Sequence, residues 1–172
     1  GPIGLLHIAL AKLAGATTIL AAGREGRLTA ATDFGATCAV ALTGEALTAE
    51  VRERTHGRGA DVVIVAVGDL ALANQALELA AIGGRVNYFA GFPKGKTASI
   101  DPNLIHYREL AVTGGSNARR ADVRRAVELL SSGALDVGRL VTHRFPLAEL
   151  DAAVTAVARR DGLKVAVMPA AG

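Results

Sequence analysis

Apolar and polar positions switch between a helical and an alternating or continuous spacing along this 172-residue chain, and the switches predict a succession of helices and strands. Residues 3–13 are apolar at most positions, broken by His7 and Lys12, and Gly15 follows. A largely buried helix is expected there, stopped by a residue that accepts the left-handed conformation. A short strand is expected over residues 17–21. Then come a polar turn at Gly23-Arg24-Glu25-Gly26-Arg27 and a helical segment carrying Leu28, Ala31 and Phe34, halted at Gly35. Residues 38–42 predict a second strand, and residues 45–56 a charged surface helix that leaves through Gly57-Arg58-Gly59.

The strongest strand is expected over residues 61–67, where the unbroken run Val62-Val63-Ile64-Val65 suits a parallel strand covered on both faces. Gly68-Asp69 opens a helix running to Leu79. Ile82-Gly83-Gly84 then turns the chain into a strand at 85–89, with the loop Gly91-Phe92-Pro93-Lys94-Gly95 at its carboxyl end. A short helix at 103–107 precedes a strand at 110–113 that closes on Gly114-Gly115. Val123, Ala126, Val127 and Leu130 mark the inner face of a further helix ended by Gly133. Pro146 takes the first position of a last helix bearing Leu147, Leu150, Val154 and Val157, and residues 164–167 form a final strand. Strands and helices alternating over short connections imply an α/β parallel sheet with right-handed crossovers. Such sheets bind ligands at the loops leaving the carboxyl ends of their strands.

Composition narrows the picture. Apolar residues make up 51% of the chain and aromatic residues 3%, so the core is built from Ala, Val, Leu and Ile. The length suits one domain with no need of metal or disulfide staples. A net charge of +3 is spread among interspersed acids and bases and forms no continuous basic stripe, which argues against nucleic acid as a partner. The single cysteine, Cys38, sits among apolar residues and forms no internal disulfide, pointing to a reducing, cytoplasmic setting. No apolar run approaches a membrane span, and residues 1–10 show no charged leader, so no membrane association is expected.

Gly1-Pro2-Ile3-Gly4 runs directly into the first helix and reads as the back half of a G-x-G-x-x-G dinucleotide fingerprint, with Gly1 and Gly4 as its second and third glycines. The amino terminus of that helix offers free N–H groups and a positive dipole end to a pyrophosphate.

Further motifs follow in order: Gly57-Arg58-Gly59-Ala60-Asp61-Val62-Val63, Gly83-Gly84-Arg85-Val86, Asp101-Pro102-Asn103-Leu104-Ile105, and Leu140-Val141-Thr142-His143-Arg144-Phe145-Pro146-Leu147. Together with the opening glycines they resemble the medium-chain zinc-dependent alcohol and polyol dehydrogenases over nearly the whole chain, most closely the sorbitol and threonine dehydrogenase branch. The alternative is a generic Rossmann-like domain such as a methyltransferase. The resemblance implies a Rossmann-type doubly wound parallel sheet. It also implies that residues 1–172 are one dinucleotide-binding domain truncated at its N-terminus, with the first and central strand missing and the catalytic zinc domain absent. The implied reaction moves hydride between nicotinamide and a small-molecule alcohol or polyol, or its ketone. Zinc belongs to the parent protein, while one cysteine and histidines at 7, 56, 106 and 143 supply no ligand set here. A noncatalytic nucleotide-binding module and a zinc-independent reductase domain are the alternatives.

Carried over by position, the resemblance puts Gly1, Pro2, Ile3 and Gly4 at the pyrophosphate, Val67 and Gly68 at the adenine and ribose, and Phe89, Ala90 and Gly91 at the nicotinamide carboxamide. Gly115, Ser116 and Asn117 match a stretch that closes over the nicotinamide. Ala22 stands where NAD-preferring relatives carry an acid, and Arg24 and Arg27 stand where basic residues meet the adenosine end, so NADP is favoured over NAD. The competing reading makes both arginines solvated turn residues, with Glu25 at the ribose. No catalytic residue is expected: His7 packs in its helix, and His143 belongs to a loop between strand and helix. Residues 96–100 resemble the edge strand through which family dimers join, which implies a homo-oligomer.

Overall fold

The computed structural model describes residues 1–169, which divide into two compact units. In chain order the elements begin α1 (Pro2–Leu13), β1 (Leu20–Ala22), α2 (Thr29–Asp33), β2 (Cys38–Val40) and α3 (Gly44–Arg54). They continue with β3 (Ala60–Val65), α4 (Ala71–Leu79), β4 (Ala80–Tyr88), α5 (Pro102–Tyr107) and β5 (Ala111–Gly114). The last are α6 (Arg120–Ser131), β6 (Val141–Pro146), α7 (Leu150–Arg159) and β7 (Lys164–Met168). The fold is α/β and every strand pairing is parallel. Among the described residues the strands pair in three sheets, β1–β2, β3–β4–β5 and β6–β7, where a single sheet was expected.

The unit built from residues 20–28 and 38–118 holds the first two sheets. Its core is Val65, Ala76, Leu77, Ala80, Val86 and Leu110, joining one face of β3–β4–β5 to α4. The carboxyl end of α4 leaves carbonyls without helical donors. The Arg108 guanidinium supplies them, donating to the carbonyls of Leu77 at 3.2 Å and Glu78 at 3.0 Å, and to that of Ala80. Desolvation holds the Arg108 pKa below its ordinary value.

Several sequence expectations need correction here. β3 is covered on one face only: Val62 is 56% exposed and Ile64 38%, while Val65 is buried. As the sheet's edge strand, β3 pairs Val62 with Arg85 and Ile64 with Asn87, and Asn87 bonds Thr113 at 3.0 Å, so this face is partly polar. β4 starts at Ala80, and the turn expected at 82–84 is a bulge inside it: Ala60 pairs with Ala80, and the next pair is Val62 with Arg85. Residues 96–100 are exposed and pair with no strand among the described residues of this chain.

The other unit contains residues 1–19, 29–37 and 119 onward. Leu5 and Ile8 form the buried face of α1. Thr37 fixes the residue before β1: its Oγ1 accepts from Ile19 N at 2.9 Å and its N–H donates to the Ile19 carbonyl at 2.9 Å. Ladder pairing therefore starts at Leu20, later than the strand expected at 17–21. The helical spacing of Val123, Val127 and Leu130 holds in α6, yet all three are exposed and no α6 residue is buried. In α7 the small Ala153 and Ala156 are buried, leaving Leu150, Val154 and Val157 outside, and Leu147, in the 3-10 turn before the helix, is exposed too. β6 replaces the expected loop around His143. Its half-buried Val141, His143 and Phe145 alternate with exposed Thr142, Arg144 and Pro146, which is strand periodicity. No helix among the described residues is long and apolar enough to cross a membrane.

Candidate functional site

At the start of α1, Gly1 is the N-cap and its carbonyl accepts from Leu5 N at 3.0 Å. Pro2 at the first position has no N–H to satisfy, and its fixed φ suits helix entry. The N–H groups of Ile3 and Gly4 precede the first helical acceptor and point away from the helix body. Ile3 is 46% exposed, and a Cβ added at Gly4 would meet nothing within 4 Å. His7 is held below its ordinary pKa by burial, in keeping with a packed residue.

In the unit of residues 20–28 and 38–118, the remaining candidates follow the carboxyl ends of β1, β3, β4 and β5. After β1, Gly23 N still reaches the Val40 carbonyl at 3.1 Å. Arg24 then caps a single 3-10 turn over Glu25–Arg27, accepting from Arg27 N at 2.9 Å. The Arg24 and Glu25 side chains are exposed and Arg27 is half-buried.

The loops after β3 and β4 are brought together more tightly. A Cβ built on Gly68 would lie 2.1 Å from the Gly91 carbonyl oxygen and 3.5 Å from Phe92 Cα. The N–H groups of Phe89 and Ala90 both donate to the Val65 carbonyl, at 3.1 and 3.0 Å. Asp69 N closes on the Val67 carbonyl at 3.0 Å, and Asp69 Oδ1 accepts from Ala71 N at 3.0 Å, ending the β3 loop at the entrance to α4. Val67 and Phe89 are exposed, so an apolar side chain stands beside each loop. Gly115, Ser116 and Asn117 follow β5, which lies next to β4 with Tyr88 opposite Gly114. Asn117 takes a left-handed φ of 63°, a conformation that asparagine tolerates well.

An open cavity of about 560 Å³ adjoins the β3 loop, bounded by Thr43, Gly44 and Glu45 at the start of α3 and by Asp69, Leu72 and Gln75 on the other side. Gln75 Nε2 donates to the Gly44 carbonyl at 2.6 Å and fixes one wall. Glu45, Asp69 and Glu78 line the cavity and no basic side chain does, which suits an uncharged base better than a phosphate.

Among the described residues no group of three or more His, Cys, Asp or Glu side chains is placed to hold a metal ion. His143 lies in β6 with its ring stacked over Phe145 at 6.5 Å, and its Nδ1 is 3.0 Å from Thr142 Oγ1.

Sequence reasoning missed two residues at the site. Tyr88 ends β4, donates its hydroxyl hydrogen to the Ala73 carbonyl at 2.5 Å, and meets the Phe92 ring edge-on at 5.7 Å. The signal was present: Tyr88 continues the two-residue period of Val86, and Phe92 is the next aromatic but one.

A family model described as zinc-binding dehydrogenase matches residues 2–132. The chain is 35% identical to L-threonine 3-dehydrogenase of Bacillus subtilis over 88% of its length and 44% of that protein. It is also 35% identical to an alcohol dehydrogenase of Cupriavidus necator, over 98% of this chain and 47% of the relative. It thus spans about half the length of the curated relatives it matches. Among solved structures, an alcohol dehydrogenase from Thermus sp. ATN1 superposes with a TM-score of 0.90 at 31% identity, over 98% of this chain and 49% of the other. A zinc-binding dehydrogenase from Sinorhizobium meliloti bound to NADP gives 0.87 at 33% identity, over 98% and 50%.

Proposed function

The chain belongs to the zinc-binding dehydrogenase family, and on that premise we propose that residues 1–172 hold and orient the dinucleotide in an NAD(P)-dependent alcohol or polyol dehydrogenase of the cytoplasm. The observation that carries the reading is the glycine-only approach of the β3 and β4 loops, where Gly68 meets the Gly91 carbonyl. It leaves backbone surface in place of side chains at the carboxyl ends of adjacent parallel strands, the usual position for a nucleotide.

In this reading the first turn of α1 offers backbone N–H groups to the pyrophosphate. Val67 and Gly68 border the adenosine, and the acid-lined cavity beside Asp69 takes the base. Phe89, Ala90 and Gly91 present backbone to the nicotinamide carboxamide, with Gly115, Ser116 and Asn117 one strand further on. When bound, the coenzyme supplies the hydride acceptor or donor. The residues of this chain bind and orient it and exclude water from it.

The coenzyme favoured is NADP. Arg24 is an exposed cation on the turn directly after β1, and Ala22 offers no carboxylate to repel a 2′-phosphate. The NADP bound in the Sinorhizobium meliloti relative supports the same choice. Substrate chemistry and metal ligands are assigned to chain outside these residues. A parallel strand from that chain would complete the open edges of β1 and β3.

Steady-state kinetics of the intact protein test the assignment. Catalytic efficiency is expected to be higher with NADPH than with NADH. Arg24→Ala is expected to lower the NADPH value about tenfold, the loss of one charge-assisted contact at an exposed site, and to leave NADH unchanged. A preference for NADH in the unsubstituted protein overturns the coenzyme choice.

A further inference from the structure

We infer that Tyr88 is a positioning residue for the nicotinamide half of the coenzyme, holding the 89–92 loop in its binding shape before the coenzyme arrives. The inference rests on the proposed placement of nicotinamide against Phe89, Ala90 and Gly91.

Three restraints act on this loop. At its start, Phe89 and Ala90 both donate to the Val65 carbonyl. At Gly91, the carbonyl packs against the bare Cα of Gly68. At its end, the Phe92 ring lies edge-on against Tyr88, with the planes at 64°. The last contact depends on where the tyrosine ring is, and that is set by its hydroxyl bond to Ala73 in α4, 15 residues back in the chain. Tyr88 therefore links the loop to the helix packed beneath the sheet, and Phe92 packs with it against the same core of Val65, Leu77 and Val86. Burial pushes the Tyr88 phenol above its ordinary pKa, so it is protonated and donating at neutral pH.

A loop fixed in advance spares a ligand the cost of ordering it. Only the part of the coenzyme that touches the loop gains. NADPH and 2′-phospho-ADP-ribose differ by the nicotinamide alone, so the pair separates this role from general packing.

The experiment is titration calorimetry of the intact protein and its Tyr88→Phe variant with NADPH and with 2′-phospho-ADP-ribose. NADH and ADP-ribose replace them if the unphosphorylated coenzyme is preferred. Tyr88→Phe keeps the ring and removes one hydrogen bond. It is expected to weaken NADPH binding about fivefold, the size of a typical single hydrogen bond, and leave 2′-phospho-ADP-ribose unchanged. Phe92→Leu, which removes the partner ring and leaves the hydroxyl bond, is expected to give the same selective loss. Equal weakening of both ligands, or no weakening of either, in both variants overturns the inference. If the unsubstituted protein binds neither coenzyme, the proposed function itself fails. If it binds the nicotinamide-free ligand as tightly as the coenzyme, only the placement of nicotinamide on this loop fails.

Discussion

Replacing Gly68 by alanine tests the geometry at the carboxyl ends of β3 and β4. The added methyl would sit 2.1 Å from the Gly91 oxygen, about 0.9 Å inside the 3.0 Å limit that real Cβ contacts respect. The obstacle is a backbone carbonyl, which cannot rotate aside as a flexible side chain would. Its neighbours Phe89 and Ala90 are tied to Val65, so relief requires moving the loop away from the strand end. Overpacking of this kind costs about 1–3 kcal/mol, and a backbone obstacle places Gly68→Ala near the upper end, about 2–3 kcal/mol. At about 2–4 °C per kcal/mol for a domain of this size, the melting temperature should fall by about 4–12 °C. Gly91→Ala is the control for stability without coenzyme, because a Cβ there meets nothing within 4 Å, and it should stay within about 0.5 kcal/mol in that arm. Differential scanning fluorimetry of the intact protein with and without NADPH reads both effects. The Gly68 variant should melt lower and gain less from the coenzyme. A variant that melts with the unsubstituted protein and shows the same NADPH-dependent gain would refute the close approach.

Two other expectations concern stability. Arg108→Met keeps the aliphatic stem and removes the donors to Leu77, Glu78 and Ala80, so α4 should lose about 2 kcal/mol in a urea unfolding series, with an unchanged midpoint counting against the capping role. At the start of α6, Arg119 donates to both carboxylate oxygens of Asp122 and holds its pKa below the usual range. This contribution is whole above the unfolded carboxylate pKa and is lost as pH falls through the lower folded value. Asp122→Asn should therefore lower the melting temperature at neutral pH, with the difference from the unsubstituted protein closing as the pH falls through the folded carboxylate value, and an unchanged neutral part would count against the pair.

Elements whose signal is local were legible in the sequence. The α1 run before Gly15 and the charged α3 run before Gly57 each carry their own stop, and the short helix expected at 103–107 is α5, where the structure adds Asp101 as the cap that accepts from Asn103 N. β6 was obscured because Thr142, His143 and Arg144 interrupt the apolar run, although its every-second-residue pattern is plain once paired with β7. The covering of β3 depended on which neighbours lie over Val62 and Ile64, and four consecutive apolar residues carry no information about that. At the site, the glycines after β3 and β4 were visible as letters, but their mutual approach arises from the register between the strands. Tyr88 escaped notice for a related reason: its partner Ala73 is a backbone carbonyl, which no side-chain motif reports.

The Val65 carbonyl accepts from two amides, those of Phe89 and Ala90. Movement of that one oxygen away from the loop frees both amides at once, so displacement of the β3 end from the β4 loop is an opening event common to the two residues. In hydrogen–deuterium exchange both amides should gain protection when coenzyme is added, because holding the β3 end against the β4 loop closes that opening for both.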